Sequence, residues 1–158
     1  MISESFSMKI LMVCLGNICR SPLADGVLKQ KVSQFGLDIV VDSCGTSSYH
    51  VGELPDERMM KIAMSHGCDL SMLRARQFVK SDFIEFDVIY VMDASNYNNV
   101  IALADSKKDK EKVKFFLNET HPNSNMAVPD PYFGGEQGFE DVFKLVDDAT
   151  DVIIEKYK

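Results

Sequence analysis

The feature that most constrains the fold is a near-continuous apolar run close to the start of the chain. From Met8 to Val13 the only polar residue is Lys9. Runs of this kind are typical of strands that are buried on both faces, as they are in parallel sheets. Because such a sheet needs helices on both sides, the run predicts an α/β protein.

The rest of the chain alternates between short apolar strands and amphipathic helices. Strands are predicted at 39–41, 87–92 and 113–117, and helices at 22–35, 55–66, 94–104 and 136–157. Gly36 and Gly67 stand where helix-ending glycines belong. The alternation implies right-handed crossovers, and so predicts a three-layer α/β fold with a four-stranded parallel sheet flanked by helices on both faces. We expect residues 1–7 to form a flexible arm and residues 8–158 to form a single domain.

Composition narrows the classes of function. The 158 residues carry 17 Lys and Arg against 24 Asp and Glu, a net charge of −7, which disfavours a nucleic-acid-binding protein. No apolar run approaches the roughly 18 residues of a membrane-spanning helix. The four cysteines, Cys14, Cys19, Cys44 and Cys68, contain no C-x-x-C pair, so neither a metal site nor a disulfide framework is expected. These features predict a cytoplasmic protein with reduced thiols and without a nucleic-acid or membrane partner.

The loop after the first strand carries the candidate chemistry, because ligands of such folds bind outside the carboxyl ends of the strands. It runs from Cys14 to Pro22 with the pattern Cys-x5-Arg-Ser. Gly16 permits a positive φ or a close backbone approach, and Asn17 tolerates left-handed geometry. We therefore expect the loop amides and the helix N-terminus to form a cup for a tetrahedral dianion.

The side chains of this loop suit phosphoryl transfer. Arg20 can bind two phosphate oxygens with its planar guanidinium. The positive field of the cup favours the thiolate form of Cys14, which would attack phosphorus in line. Ser21 can donate a hydrogen bond to that sulfur. A lone cysteine at a strand end is usually a core residue, and a serine before a proline is an ordinary helix cap, but the combination favours the phosphate cup. A Walker A loop is excluded because its pattern does not occur.

The segment from Val13 to Pro22 resembles the signature of the low-molecular-weight protein-tyrosine phosphatases. The resemblance extends to Asp42-Ser43, Ala75-Arg76-Gln77, Met92-Asp93 and Asp130-Pro131-Tyr132. It implies a flavodoxin-like phosphatase I fold and hydrolysis of phosphotyrosine in proteins through a cysteinyl-phosphate intermediate. The implied partner is a phosphotyrosine-containing protein or peptide, the product is inorganic phosphate, and no cofactor is implied. The oligomeric state stays open, with a monomer favoured.

The resemblance also implies roles for individual residues. Asp130, stiffened by a proline on each side, matches the general acid that protonates the leaving phenolate and later the base for water. Tyr49 and Tyr132 match the aromatic walls of the substrate site. Ser43 and Asn17 match residues that hold the loop through hydrogen bonds. The phosphate-binding positions would be Leu15, Gly16, Asn17, Ile18, Cys19 and Ser21.

Two positions depart from the family pattern. Leu73 stands where many relatives supply a histidine, so the outer end of the hydrogen-bond network lacks its usual partner. Phe133 stands where relatives often have a second tyrosine, so one hydroxyl is lost.

Three other functions stay open at this point. A thiol-dependent arsenate reductase shares the fold and the cup, but Cys44 and Cys68 form no close pair in the 73–93 region where its relay is expected. A protein-arginine phosphatase would have a threonine in place of Ile18. A non-catalytic phosphate-binding module would not need the nucleophile, the arginine and the acid together. Separately, Cys19 is a candidate redox partner that would trap an oxidised Cys14 as a disulfide.

Overall fold

The structure, a computed structural model, describes residues 7–158, and its centre is a parallel sheet. The strands, listed here in chain order, are β1 Met8–Cys14, β2 Ile39–Gly45, β3 Val88–Val91 and β4 Val113–Phe115. They lie in the order β2-β1-β3-β4, and every pairing is parallel. The arm predicted at 1–7 lies outside the described residues except for Ser7, whose hydroxyl donates to Asp38 at 2.6 Å.

Helices cover both faces of this sheet. They are α1 Arg20–Gln34, α2 Glu57–Ser65, α3 Asp82–Glu85, α4 Ala94–Ile101, α5 Lys107–Glu111 and α6 Gly135–Tyr157, with 3₁₀ turns at Phe116–Glu119 and Pro131–Phe133. Successive residues of β1 point into two separate cores. Ile10 and Met12 pack with α1, α2 and α6, whereas Leu11 and Val13 pack with α3 and α4. The predicted three-layer α/β fold is confirmed.

The elements differ from prediction mainly at their ends. β2 continues to Gly45 rather than ending at 41, because Asp42 and Ser43 keep the register with β1 although they are polar. Predicted β4 ends early, since a 3₁₀ turn begins at Phe116. The short helices α3 and α5 were not predicted, because four or five residues carry too little periodicity to recognise. Over residues 7–158, no helix combines the length and apolar character that crossing a membrane requires.

Candidate active site

The loop between β1 and α1, residues 14–20, forms one side of a small cavity and is called the phosphate loop below. Residues 128–134, which precede α6, form the other side and are called the acid loop. The cavity has a volume of about 110 Å³, well below the roughly 300 Å³ of ordinary small-molecule sites. It is lined by Cys14, Leu15, Gly16, Ile18, Cys19, Arg20, Asp130, Pro131 and Tyr132.

A buried hydrogen-bond chain surrounds the Cys14 thiol at the end of β1. The Sγ atom lies 2.9 Å from the hydroxyl of Ser21, which is fully buried on α1. The amide of Asn17 donates to the same hydroxyl at 2.8 Å. The oxygen of that amide accepts the backbone N–H of Arg76 at 3.0 Å. The sulfur is thus connected through the phosphate loop to the segment that follows α2.

The backbone of the phosphate loop depends on two special positions. Asn17 has a positive φ of 56°, whereas Gly16 does not, so the left-handed geometry falls on the asparagine. Gly45, at the end of β2, has no room for a side chain. A Cβ there would lie 2.6 Å from the backbone oxygen of Leu15. Gly45 therefore lets β2 approach the phosphate loop closely, and sequence reasoning missed this role although a glycine at a strand end is a recognisable signal.

Arg20 is anchored by the segments that follow β3 and precede α6. Its guanidinium nitrogen Nη1 donates to the Asp93 carboxylate and to the backbone oxygen of Val128, both at 2.9 Å. Asp93 follows β3 and also caps α4 by accepting the N–H of Asn96 at 2.8 Å. The charged group is therefore held in the cavity wall by contacts within the protein. Sequence reasoning had assigned no role to Asp93.

Asp130 lies on the exposed acid loop and lines the cavity opposite Cys14. Its Oδ1 atom accepts the backbone N–H of Tyr132 at 3.0 Å, which caps the short 3₁₀ turn. The start of this loop is tied to the sheet, because the N–H of Val128 donates to the backbone oxygen of Met92 at 2.8 Å. The carboxyl group therefore sits on a loop that is fixed at its base.

Tyr132 connects the acid loop to the start of α2. Its hydroxyl donates to Oδ2 of Asp56 at 3.2 Å. The guanidinium of Arg58 lies over the Tyr132 ring, 4.7 Å from its centroid, and also donates to both oxygens of Asp56. Burial, with the nearby Asp56 carboxylate, raises the pKa of Tyr132 to about 12, so its hydroxyl stays protonated as a donor.

Three other residues that the sequence analysis singled out do not line the cavity. Tyr49 is 82% exposed and does not line it. Ser43 is buried beside Asp25, and no hydrogen bond among the described residues joins its side chain to the phosphate loop. The Leu73 side chain packs against the larger core and, being a hydrocarbon, can make no hydrogen bond. The Asn17 side chain makes hydrogen bonds of the kind that its predicted role requires. The roles of Tyr49 and Ser43 stay predictions.

The four cysteines are free thiols and all are buried. Cys19 lines the cavity next to the start of α1. Its burial, reinforced by the Asp56 carboxylate, raises the pKa of the Cys19 thiol well above its ordinary value. Cys19 is therefore a protonated thiol at neutral pH. Cys44, predicted to follow a strand, lies inside β2.

Comparison with known proteins gives one consistent family. The family model described as low molecular weight phosphotyrosine protein phosphatase matches residues 9–158. A protein of that name from Schizosaccharomyces pombe is 40% identical over 145 residues, which cover 89% of this chain and 92% of the relative.

Solved structures agree with this family. A protein tyrosine phosphatase from Entamoeba histolytica superposes with a TM-score of 0.87 at 40% identity, covering 95% of this chain and 96% of its own. A Drosophila arginine phosphatase superposes with a TM-score of 0.87 at 31% identity, covering 96% and 98%.

Proposed function

Because the chain belongs to the low molecular weight phosphotyrosine protein phosphatase family, we propose that it hydrolyses phosphotyrosine in proteins and peptides. The observation that carries the proposal is the shared cavity of Cys14, Arg20 and Asp130. These three residues supply a nucleophile, a charge for the phosphate and a proton for the leaving group. Arg20 and Asp130 lie 110 positions apart in the chain, on two loops that meet over a cavity of about 110 Å³.

The first half of the reaction breaks the ester bond. The Cys14 thiolate attacks phosphorus, and the bond between phosphorus and the phenolic oxygen breaks. Asp130 gives its proton to that oxygen, so tyrosine leaves as a neutral phenol. Arg20 and the loop amides neutralise the charge on the other phosphate oxygens. The product of this half is a cysteinyl phosphate.

The second half regenerates the enzyme. Water attacks the phosphorus, Asp130 takes up its proton, and the bond between sulfur and phosphorus breaks. The leaving thiolate is stabilised by the Ser21 hydroxyl, which lies 2.9 Å from the sulfur. Inorganic phosphate then leaves the cavity. No step needs a cofactor.

The shape of the site favours an aryl phosphate. The cavity measures only about 110 Å³, so most of a phosphopeptide must lie against the surface around its mouth. Tyr132, 42% exposed, and Leu15, 50% exposed, offer apolar surface there for a phenyl ring. Tyr49 would add a second wall if its loop closes over the substrate. Aromatic contacts of this kind discriminate against short alkyl phosphates.

Phosphoarginine is the second candidate substrate, because a Drosophila arginine phosphatase has the same fold at 31% identity. Ile18 lines the cavity here, and its bulk favours the flat phenyl ring. Arsenate reduction has less support, since Cys44 and Cys68 belong to cores on opposite faces of the sheet and cannot relay a disulfide between them. We also propose a monomer that acts in the cytoplasm, where a nucleophilic thiol stays reduced.

The test is substrate hydrolysis by the intact protein in buffer without added metal. We expect turnover of 4-nitrophenyl phosphate, followed by release of phosphate from phosphotyrosine peptides and none from matched phosphoserine peptides. Phosphoarginine peptides of the same sequence distinguish the second candidate. Release from phosphoarginine alone, or arsenate reduction coupled to thiol oxidation without phosphatase activity, would contradict the proposal.

A further inference from the structure

One carboxylate outside the cavity contacts both of the loops that form it. Asp56 is the residue that caps α2 and is only partly exposed. Its backbone N–H donates to the backbone oxygen of Ile18, in the phosphate loop, at 2.6 Å. Its side-chain Oδ2 accepts the hydroxyl of Tyr132, in the acid loop, at 3.2 Å. Asp56 therefore fixes the distance between the two loops from outside.

Arg58 holds this carboxylate and the Tyr132 ring together. Its Nε donates to Oδ1 of Asp56 at 3.3 Å and its Nη2 donates to Oδ2 at 3.2 Å. The same guanidinium stacks over the Tyr132 ring at 4.7 Å and over the ring of Phe139, on α6, at 4.9 Å. The planar guanidinium binds the carboxylate through two nitrogens and stacks on the aromatic rings at the same time, which the ammonium group of a lysine could not do.

The connection continues to the general acid. The backbone N–H of Tyr132 donates to Asp130 at 3.0 Å, so Tyr132 is held by Asp56 at its hydroxyl and holds Asp130 at its backbone. Burial works against the charge of Asp56, but hydrogen bonds from Arg58 and Met59 outweigh it and lower the pKa of Asp56. The carboxylate therefore stays ionised and accepts the tyrosine hydroxyl over the whole neutral range.

We propose that Asp56 and Arg58 are positioning residues that set the reach of the Asp130 carboxyl toward the leaving oxygen. The inference rests on the proposed function, because it assumes that Asp130 is the general acid. Neither residue lines the cavity. They act through Tyr132, and their removal leaves the nucleophile and the phosphate loop in place while the acid loop loosens at its tip.

This role predicts a specific kinetic signature. A loosened acid matters most for a leaving group that needs its proton and least for one that leaves without it. A displacement of about 1 Å can cost up to roughly 100-fold. We therefore expect the ratio of kcat/KM for 4-nitrophenyl phosphate to kcat/KM for phenyl phosphate to rise about tenfold in the Arg58→Gln and Tyr132→Phe variants. A merely structural role would lower both rates together.

The experiment compares this ratio across matched variants of the full chain. Arg58→Gln, Tyr132→Phe and Asp56→Asn alter the contacts described above, and Asp130→Ala removes the acid. Arg74→Gln is the control, because Arg74 is also exposed and, among residues 7–158, donates only to neighbouring backbone oxygens, those of Ser71 and Leu73. Because Arg58 is a surface residue, we expect Arg58→Gln to fold. The ratio can then be measured in that variant even if Asp56→Asn does not fold. Thermal melting verifies that each variant is folded.

Combining substitutions separates positioning from structure. In an Asp130→Ala background, adding Arg58→Gln should leave the ratio unchanged, since no acid remains to be positioned. A ratio equal to that of the wild type in Arg58→Gln and Tyr132→Phe, beside a raised ratio in Asp130→Ala, would overturn the positioning role alone. An unchanged ratio in Asp130→Ala would overturn the acid assignment and the positioning role with it.

Discussion

The two loops that meet over the cavity are held in opposite ways. The phosphate loop is fixed from within, where Cys14, Asn17 and the adjoining Ser21 are almost completely buried and hydrogen-bonded to one another. The acid loop is fixed from the surface, where Asp130 and Tyr132 are exposed and depend on side chains of α2.

The difference matches the two tasks. A phosphate group has one size and one charge distribution, so the groups that bind it gain from a rigid, preorganised arrangement. A leaving group varies from one substrate to the next, and an exposed loop can follow it. Variants in the two loops should therefore fail in different ways.

The largest expected effect comes from removing the nucleophile. Cys14→Ser should abolish turnover, because an alcohol at this position is not ionised as a thiol can be. The cup itself remains, so the variant should still bind vanadate or inorganic phosphate, measured by calorimetry. Turnover by Cys14→Ser above the buffer rate would show that the nucleophile lies elsewhere.

The next effect concerns the acid loop. Asp130→Ala should lower kcat/KM for phenyl phosphate about 100- to 10,000-fold, the range for loss of general acid catalysis, with a smaller loss for 4-nitrophenyl phosphate. Vanadate affinity should stay within about twofold of the wild type, because the phosphate loop is untouched. Loss of vanadate binding in this variant would mean that the two loops are not independent.

Gly45→Ala should damage the phosphate loop without touching any reacting group. Its Cβ would meet the backbone of Leu15 at 2.6 Å, a contact that cannot relax by side-chain rotation. We expect about 1–3 kcal/mol of lost stability in urea unfolding, together with weaker vanadate binding. Gly16→Ala is the control for stability alone, since its Cβ would meet the His50 ring at 3.0 Å, which can move, and the Ile18 side chain at an ordinary 3.8 Å. Equal losses of stability in both variants would contradict the role given to Gly45.

A smaller effect concerns oxidation of the phosphate loop. Mild peroxide should convert Cys14 to a sulfenic acid, which the Cys19 thiol attacks to give a disulfide and water. Dithiothreitol should then restore wild-type activity, while Cys19→Ser, which lacks the trap, should recover less because its sulfenic acid oxidises further. Recovery of Cys19→Ser to the same extent as the wild type would remove Cys19 as the redox partner.

The smallest effect is a pH dependence of the contact that holds the acid loop. The folded pKa of Asp56 is lowered from its ordinary value of 3.8, so its stabilising contribution is present above that pH and is lost as the pH falls below it. The melting temperature of Asp56→Asn, which keeps a helix cap, should lie below that of the wild type at pH 7. The gap should narrow at pH values below 3.8. A gap that is the same at both pH values would contradict the shift.

The sequence predicted more of the phosphate loop than of the acid loop. The phosphate loop is a continuous segment between a buried strand and a helix, so its pattern, Cys-x5-Arg-Ser, is visible without knowing the fold. Asp130 could be assigned only through family resemblance, because a Pro-rich segment is an ordinary turn by itself.

The supporting residues were missed for a physical reason. Asp93, Asp56 and Gly45 act across the sheet or between loops, at partners that only the folded chain brings together. Asp56 fell inside the helix predicted at 55–66, and its contacts to the two loops appear only in the folded structure, where it also caps α2. Local patterns predicted the elements and the nucleophile, whereas contacts between distant segments could not be read from them.

The Ser21 hydroxyl has one proton to donate and two acceptors within reach. Its oxygen lies 2.9 Å from the Cys14 sulfur and 3.3 Å from the backbone oxygen of Cys44. Asn17 donates to that oxygen and so cannot accept its proton. The single O–H proton can therefore be donated either to the sulfur or to the carbonyl oxygen. An anionic sulfur would attract that proton, whereas a sulfur bonded to phosphorus is a weaker acceptor than the Cys44 carbonyl. Rotation of one buried bond can thus follow the charge on sulfur through each turnover, with no movement of the backbone.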